Sequence, residues 1–218
     1  MKSNQKIITL RSSRKSSLKR KSSIKRMYST ALIVCEGKNT EINYFKGLVS
    51  RLGIQANVDV KTTVRGSSPD NVLNSAIKVY CKSRDYDYVF CVFDKDKHSK
   101  YQETLDIISS KEKQNFYASN SVPCFEFWLL LHYKFTTAPF YSSKDPVKKV
   151  VNELKYYDPS YTKSDSQSFT RYYELTDKAI LNAQKVLNIV NSNSTDDPST
   201  HVHELVKFLI ELSSKVDL

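Results

Sequence analysis

Between residues 31 and 120 the chain alternates short apolar runs with longer segments whose apolar residues recur at helical spacing, and this alternation constrains the fold most strongly. The run TALIVCEG, for example, is followed by NTEINYFKGLVSRLG, in which Ile42, Phe45 and Leu48 share one helical face and Gly53 provides a stop. A strand, a helix and a second strand in this order predict a βαβ unit, because a crossover connection is needed to reach a parallel strand. The sequence therefore predicts an α/β fold with a mostly parallel sheet.

The chain divides into regions by the spacing of its apolar residues. The predicted strands are TALIVCEG, ANVDVKTTV, DYVFCVF and NFYASN, and the helices between them are NTEINYFKGLVSRLG, SSPDNVLNSAIKVYCKS and KYQETLDIISSKEK. From Pro123 onward the pattern is mainly helical, in PCFEFWLLLHYKF, DPVKKVVNELKYY, LTDKAILNAQKVLNIVN and HVHELVKFLIELSSK. We expect a basic tail over residues 1–27, an α/β core over 28–135 and a helical extension over 136–218 that packs on the core.

Composition excludes several classes of protein. Hydrophobic residues make up 39% of the 218 residues, but no window approaches the roughly 18 consecutive apolar residues of a membrane-spanning helix. The four cysteines show no C-x-x-C spacing, which argues against disulfides and a structural zinc site and favours the cytoplasm. With only four glycines, and neither a G-x-G-x-x-G nor a Walker-type lysine loop, ATP hydrolysis is not expected.

The positive charge is concentrated at the start of the chain. Residues 1–26 contain ten of the 34 Lys and Arg residues and no acid, which leaves 24 basic against 23 acidic residues in the rest of the chain. Such a Ser/Lys/Arg-rich segment cannot bury enough apolar surface to fold alone. It fits a solvated tail, an arm that binds nucleic acid, or an organelle transit peptide, but not a secretory signal, because no apolar stretch follows the charges.

Acidic residues end two of the predicted strands. Glu36 follows the first strand, and Asp94 and Asp96 follow the third. If these strands are neighbours, the three carboxylates meet in one crevice at the carboxyl edge of the sheet, where Mg²⁺ or Mn²⁺ could bind. In an extended segment residues i and i+2 point to the same side, so Asp94 and Asp96 could share an ion while Lys95 points away. A D-x-D sequence is also common in solvated loops. A metal site is favoured here because another strand, the first, also ends in an acid, Glu36.

Three further residues are candidates for binding a phosphate group. Lys38 follows the first acidic turn, and His98 lies just beyond the D-x-D sequence. Arg65 precedes the serines of RGSSPDN at the expected start of a helix, where backbone N–H groups form a natural phosphate cradle. Each also has a plain interpretation, as a solvated side chain or, for the serines, as a helix cap.

Other polar residues stand in apolar or aromatic surroundings. Glu126 opens an apolar helix, where a carboxylate must be paired or serve a site, since burying it alone is costly. His132 falls on a different face and is expected to be a core or surface histidine. His201 and His203 cannot share a helical face, so they are not expected to form a metal site. The segment YYDPSYTKSDSQSFTRYYEL is expected to be a loop packed by its own aromatic rings, with base stacking as the alternative.

Three ordered segments, LIVCEGKNTEINYFKGL, FDKDKH and PCFEFWLLLHY, resemble the RloB-like family of bacterial proteins, which have a Toprim-type core. The resemblance covers roughly residues 30–135, with an echo in PSTHVHELV. Glu36 matches the Toprim acid after the first strand, and Asp94 and Asp96 match its D-x-D. Related nuclease-type proteins carry a second acid four residues after the first, whereas Glu41 lies five after, which leaves its role as a ligand open.

The resemblance implies a four-stranded, mainly parallel Toprim-like sheet between helices and metal-dependent phosphodiester chemistry on nucleic acid. It also implies a restriction or abortive-infection locus and an ATPase partner protein. On these grounds we hypothesise an antiphage Mg²⁺- or Mn²⁺-dependent nuclease of DNA or RNA, with tRNA among the candidate substrates. Glu36, Asp94 and Asp96 would hold one or two ions, with Glu36 alternatively a general acid or base, and Glu126 would be a further ligand or would orient water. The alternative is a non-catalytic subunit that binds nucleic acid or the ATPase through the same scaffold, and nucleotidyl transfer is a weaker third hypothesis.

Overall fold

The computed structural model describes residues 29–63, 66–83, 85–96, 98–110, 115–165 and 168–216. The predicted basic tail over residues 1–27 lies outside the described residues. Among the described residues, no helix is both long enough and apolar enough to cross a membrane.

A mostly parallel sheet forms the centre of the described structure, as the alternating pattern predicts. Its strands lie in the order β2-β1-β3-β4-β5, and all neighbouring pairs are parallel except β4 and β5. The strands are β1 (Ala31–Cys35), β2 (Val58–Thr62), β3 (Tyr88–Asp94), β4 (Phe116–Val122) and β5 (Ser199–Thr200).

The predicted number of four strands is wrong, because β5 adds an antiparallel fifth strand within the described residues. Its two residues pair with Val122 and Ser121 at the end of β4. A strand of two residues shows no alternation of apolar and polar side chains, so the sequence pattern contains no signal for it. The predicted β4 segment was also too short, since the strand continues to Val122.

Helices cover both faces of the sheet. They are α1 (Thr40–Arg51), α2 (Pro69–Ser83), α3 (Tyr101–Ser109), α4 (Glu126–Tyr133), α5 (Pro146–Tyr157), α6 (Ser168–Tyr173), α7 (Thr176–Ser192) and α8 (Val202–Val216). Side chains alternate along β3, so Val89 and Cys91 pack with α2 and α3, whereas Phe90 and Val92 pack with α1 and the later helices. The short helix α6 lies in the Tyr-rich segment that was predicted to be a loop.

Helix α4 is buried on nearly every side and anchors the later helices to the sheet. Seven of its residues, Glu126 to His132, are buried. It packs against α5 and α7, and Asn182 of α7 donates a hydrogen bond to the carbonyl oxygen of Leu131 (2.8 Å). Its first residue, Glu126, follows the end of β4 closely, and its charge acts on Asp94 at the end of β3, which positions the candidate site.

Candidate functional site

The structure places Glu36 beside the start of the D-x-D sequence, because β1 and β3 are neighbours. Cys35 pairs with Val92 in the ladder, and the N–H of Glu36 donates to the carbonyl oxygen of Val92 (2.9 Å). The backbone N–H of Asp94 in turn donates to Oε2 of Glu36 (3.1 Å). The carboxylate of Glu36 therefore lies directly at the end of β3.

Asp96 lies just beyond the end of β3, where the backbone leaves the extended conformation. Strand β3 ends at Asp94, and Asp96 has a φ of 31°, in the left-handed region, so the rule that residues i and i+2 of a strand share a face does not apply to this pair. Asp96 is exposed, yet it is close enough to Glu36 that its charge raises the pKa of Glu36. Lys95 forms an ion pair with Asp196 (2.6 Å).

Two carboxylates from helices join the strand-end acids. Glu126 opens α4 and Glu41 lies in the first turn of α1, and their exposed fractions are only 3% and 7%. Oε1 of Glu41 accepts a hydrogen bond from the N–H of Gly37 (3.2 Å), and a Cβ at residue 37 would overlap this carboxylate. We call Glu36, Glu41, Asp94 and Glu126 the acidic site.

Three carboxylates of the acidic site, those of Glu36, Glu41 and Asp94, have raised pKa values. Burial raises the pKa of Asp94 well above its ordinary value, and the charges of Glu41, Glu126 and Glu36 raise it further. Burial, together with Glu126 and Glu36, raises the pKa of Glu41 to about 7. Burial also raises the pKa of Glu36, although the hydrogen bond from the backbone of Asp94 and the charge of His98 each lower it. Without a bound cation the site therefore retains protons near neutral pH.

The loop between α5 and α6 supplies two partners of Glu126 that the sequence pattern did not indicate. The hydroxyl of Tyr161 donates to Oε1 of Glu126 (2.8 Å), and Nζ of Lys163 lies 3.2 Å from the same oxygen. Partial burial alone would lower the pKa of Lys163, but the charge of Glu126 raises it above its ordinary value. Thr40 of α1 is bonded to the carbonyl oxygen of Lys163 (3.3 Å), which fixes the loop over the site.

The three candidate phosphate-binding residues differ in how close the structure places them to the acidic site. Nε2 of His98 lies 3.3 Å from Oε1 of Glu36, so His98 borders the acidic site. Lys38 is exposed in the turn between β1 and α1. Arg65 lies outside the described residues.

The other histidines serve the fold. His132 is fully buried, and its Nδ1 is bonded to the carbonyl oxygen of Trp128 (3.0 Å). His203 is also buried and its Nδ1 is bonded to the carbonyl oxygen of Thr200 (3.2 Å), whereas His201 faces Glu204. His132 was expected in the core or at the surface, and the structure places it in the core.

The acidic site fits a hard divalent cation by the chemistry of its donors. Within the described part of the chain, no three His, Cys, Asp or Glu side chains form a ready-made metal cluster. Mg²⁺ and Mn²⁺ need no such cluster, since Mg²⁺ is usually held by one or two protein carboxylates, with water and substrate phosphates as its other ligands. Glu36 and Asp94 provide two adjacent carboxylates whose raised pKa values a cation would lower.

The chain matches one protein family when it is compared with known proteins. No curated protein and no solved structure matched the chain. The family model described as "RloB-like protein" matches residues 31–209, which run from the first residue of β1 into α8 and include every residue of the acidic site together with Tyr161 and Lys163. This match covers most of the chain, and the protein therefore belongs to the RloB-like family.

Proposed function

We propose that the protein is a metal-dependent nuclease whose reaction takes place at the acidic site, with Mg²⁺ or Mn²⁺ as the cofactor. The observation that carries this proposal is the imbalance of charge, since among the described residues four buried or half-buried carboxylates face one lysine, Lys163, and one histidine, His98, at the carboxyl edge of a parallel sheet. Buried acids that only stabilise a fold are normally paired with cations. Carboxylates whose pKa values are raised together in one place are typical of sites that bind a ligand or carry out chemistry.

Glu36 and Asp94 would hold the ion, with Asp96 at the rim as a further ligand. When bound, the cation would neutralise charge on the scissile phosphate and lower the pKa of the attacking water. The hydrogen bond between Glu36 and the backbone of Asp94 keeps the two acidic strand ends together before any ligand arrives.

Glu126 would orient the attacking water. Both of its polar contacts with Tyr161 and Lys163 fall on Oε1, so Oε2 is the oxygen that would accept a hydrogen bond from that water. Burial raises the pKa of Tyr161, so its hydroxyl stays protonated and keeps donating to Glu126. Lys38 and His98 flank the site and would bind phosphate groups of the substrate.

The proposed substrate is nucleic acid, either DNA or RNA, and the proposed setting is an antiphage defence system with an ATPase partner. The resemblance of the three sequence segments to the RloB-like family supports this setting. The ten basic residues before residue 27 support nucleic acid as the substrate, because lysine and arginine release counterions from phosphates.

A non-catalytic subunit that binds nucleic acid or an ATPase is the second candidate. It is favoured by one observation, namely that no three potential ligands among the described residues form a ready-made cluster. Such a subunit would retain nucleic-acid binding when Glu36 or Asp94 is replaced and would not respond to Mg²⁺.

A cleavage assay distinguishes the two candidates. The purified protein, with and without the ATPase encoded beside its gene, would be incubated with plasmid DNA, total RNA and tRNA in Mg²⁺, Mn²⁺ or EDTA. We expect cleavage in Mg²⁺ or Mn²⁺ that Glu36→Gln and Asp94→Asn abolish and that Asp106→Asn, an exposed acid on α3, leaves intact. Absence of cleavage in every combination, with no metal-dependent change in stability, would favour the non-catalytic subunit.

A further inference from the structure

Three tyrosines at the ends of α4 and α5 form an exposed aromatic surface, which we call the tyrosine platform: Tyr133, Tyr156 and Tyr157. The rings of Tyr133 and Tyr157 are parallel to within 7°, with centroids 6.0 Å apart. The ring of Tyr156 meets Tyr157 edge-on at 5.1 Å and is 80% exposed. The platform therefore offers a fixed pair of rings and a third ring that is open to solvent.

The core does not need the exposed ring. Helix α5 buries Pro146, Val150 and Leu154, which recur every four residues and form its inward face. Tyr156 lies two residues beyond Leu154 and points away from that face. Its large apolar ring remains in water, although burial of an aromatic side chain would stabilise the protein by about 2 kcal/mol. A ring in this position is available to a ligand.

The charges around the platform favour an anionic ligand. Lys134 follows Tyr133 and is paired with Glu153 (2.6 Å), while Nζ of Lys178 donates to the carbonyl oxygen of Tyr133 (2.8 Å). Lys155 precedes Tyr156 and is exposed. Asp158, whose charge also acts on Tyr133, is paired with Arg171 (2.9 Å), so these side chains together carry four positive and two negative charges beside the aromatic rings.

The platform is connected to the acidic site by a short and well-anchored segment. Lys163 is six residues beyond Tyr157, a distance that an extended chain spans in no more than about 20 Å. Asp158 fixes the start of this segment, because it accepts hydrogen bonds from Ser160 (2.6 Å), Arg171 (2.9 Å) and Tyr172 (2.9 Å). One oligonucleotide could therefore contact both surfaces.

We propose that the tyrosine platform binds single-stranded nucleic acid by stacking a base on Tyr156, and that the same strand continues past Lys163 into the acidic site. Aromatic rings beside lysines are the combination that binds single strands, since every base has a face that stacks and every linkage carries a negative charge. The bases of a duplex are already stacked on one another and cannot reach the ring. This inference rests on the proposed function, because it names the class of substrate of the same site.

Binding in EDTA tests the platform without requiring cleavage. Fluorescence anisotropy at one salt concentration would measure the affinity of the full chain for a mixed-sequence single-stranded RNA, the matching single-stranded DNA, and the duplex of equal length. We expect Tyr156→Ala to weaken binding of both single strands about ten-fold, the loss of one base–aromatic stack, and to leave duplex binding unchanged. Tyr156→Phe should retain the wild-type affinity, because it keeps the ring.

Ile107→Ala is the matched control, since Ile107 is an exposed apolar residue (41%) on α3, across the sheet from the platform. Equal affinity of wild type and Tyr156→Ala for single strands would overturn the inference, as would no measurable binding by the wild type or an equal loss for the duplex. A failure of the proposed nuclease function would give a different set of results from a failure of the platform. A Tyr156→Ala defect in binding, combined with no cleavage under any condition, would retain the platform and reject the nuclease.

Discussion

The backbone N–H of Asp94 donates a hydrogen bond to Oε2 of Glu36, at 3.1 Å, and thereby joins the ends of β3 and β1 through an acidic side chain. The contact runs through the backbone of Asp94, yet it brings the Glu36 carboxylate to a residue whose own side chain is acidic, and these like charges repel. The pair is surrounded by the buried carboxylates of Glu41 and Glu126, which raise the pKa of Asp94 still further. A cation would remove this repulsion, and the first prediction follows from that.

Asp94→Asn separates metal binding from folding. Asparagine keeps the size of the side chain but removes the charge that holds a cation. We expect the mutant to lose metal-dependent cleavage, while its melting temperature in EDTA is unchanged or higher, because one source of repulsion is gone. The stabilisation added by Mg²⁺ should shrink, since a ligand stabilises a protein only through its affinity for the folded state. Thermal melts in EDTA and in Mg²⁺, beside Asp106→Asn as the control, test this. A mutant that is less stable in EDTA, with a wild type that gains nothing from Mg²⁺, would make Asp94 a structural residue.

Glu41→Gln should change the pH dependence of stability in EDTA. Burial and the neighbouring acids raise the pKa of Glu41 from 4.5 to about 7 in the folded state. The folded state therefore holds its proton more tightly than the unfolded state, and this stabilising contribution is complete below pH 4.5 and lost as the pH rises through about 7. Glutamine carries no charge and can still accept the hydrogen bond from Gly37. We expect the mutant to exceed the wild type by on the order of 2 kcal/mol at about pH 8, with the gain declining at acidic pH. Urea unfolding at several pH values measures it, and a constant difference across that range would argue against a buried, repelled carboxylate.

Removal of residues 1–26 should weaken nucleic-acid binding without abolishing chemistry. These residues contain ten lysines and arginines, and each contact with a phosphate releases a counterion. We expect a shallower slope of log affinity against log salt for the truncated protein, with metal-dependent cleavage retained at low salt. An unchanged slope would leave the segment without a role in binding.

The sequence indicated three residues of the acidic site, Glu36, Asp94 and Glu126, and left the role of Glu41 open. Apolar runs that end in acid place Glu36 and Asp94 at strand ends, and a parallel sheet brings such ends to one edge. The partners of Glu126 depend on tertiary packing. Thr40 and Tyr161, which lie 121 residues apart, meet above the sheet, and no periodicity connects the loop that holds Tyr161 and Lys163 to Glu126. The backbone conformation of Asp96 also lay outside the sequence pattern, since a single left-handed residue after a strand leaves no repeating signal.

His132 should make the protein sensitive to mild acid. Its burial lowers its pKa from 6.5 to about 4, so the folded state holds the neutral ring while the unfolded state takes up a proton. The stabilising contribution is complete above pH 6.5 and is lost as the pH falls toward 4. In the wild type the free energy of unfolding should fall between about pH 7 and pH 5, and we expect His132→Phe to make this fall smaller by about 2 kcal/mol. Part of the fall should remain in the mutant, because burial lowers the pKa of His203 in the same way. Denaturant titrations at the two pH values provide the comparison, and an equal fall in mutant and wild type would contradict a buried neutral His132.

Gly47→Ala tests how closely α1 packs against α6. Alanine in a helix interior is normally better than glycine by about 1 kcal/mol, so helix propensity alone predicts stabilisation. A Cβ at residue 47, however, would lie 2.7 Å from Cβ and Cγ of Phe169, whose side chain is only 4% exposed and has little room to move. Overpacking of a core costs about 1–3 kcal/mol, which exceeds the gain in propensity. We therefore expect Gly47→Ala to lower the free energy of unfolding, and to lower it less in a Phe169→Ala background, which removes Cγ and the ring but keeps the Cβ of residue 169. A double-mutant cycle by urea unfolding measures the coupling between the two residues. Additive effects of the two substitutions would show that α6 does not pack on Gly47.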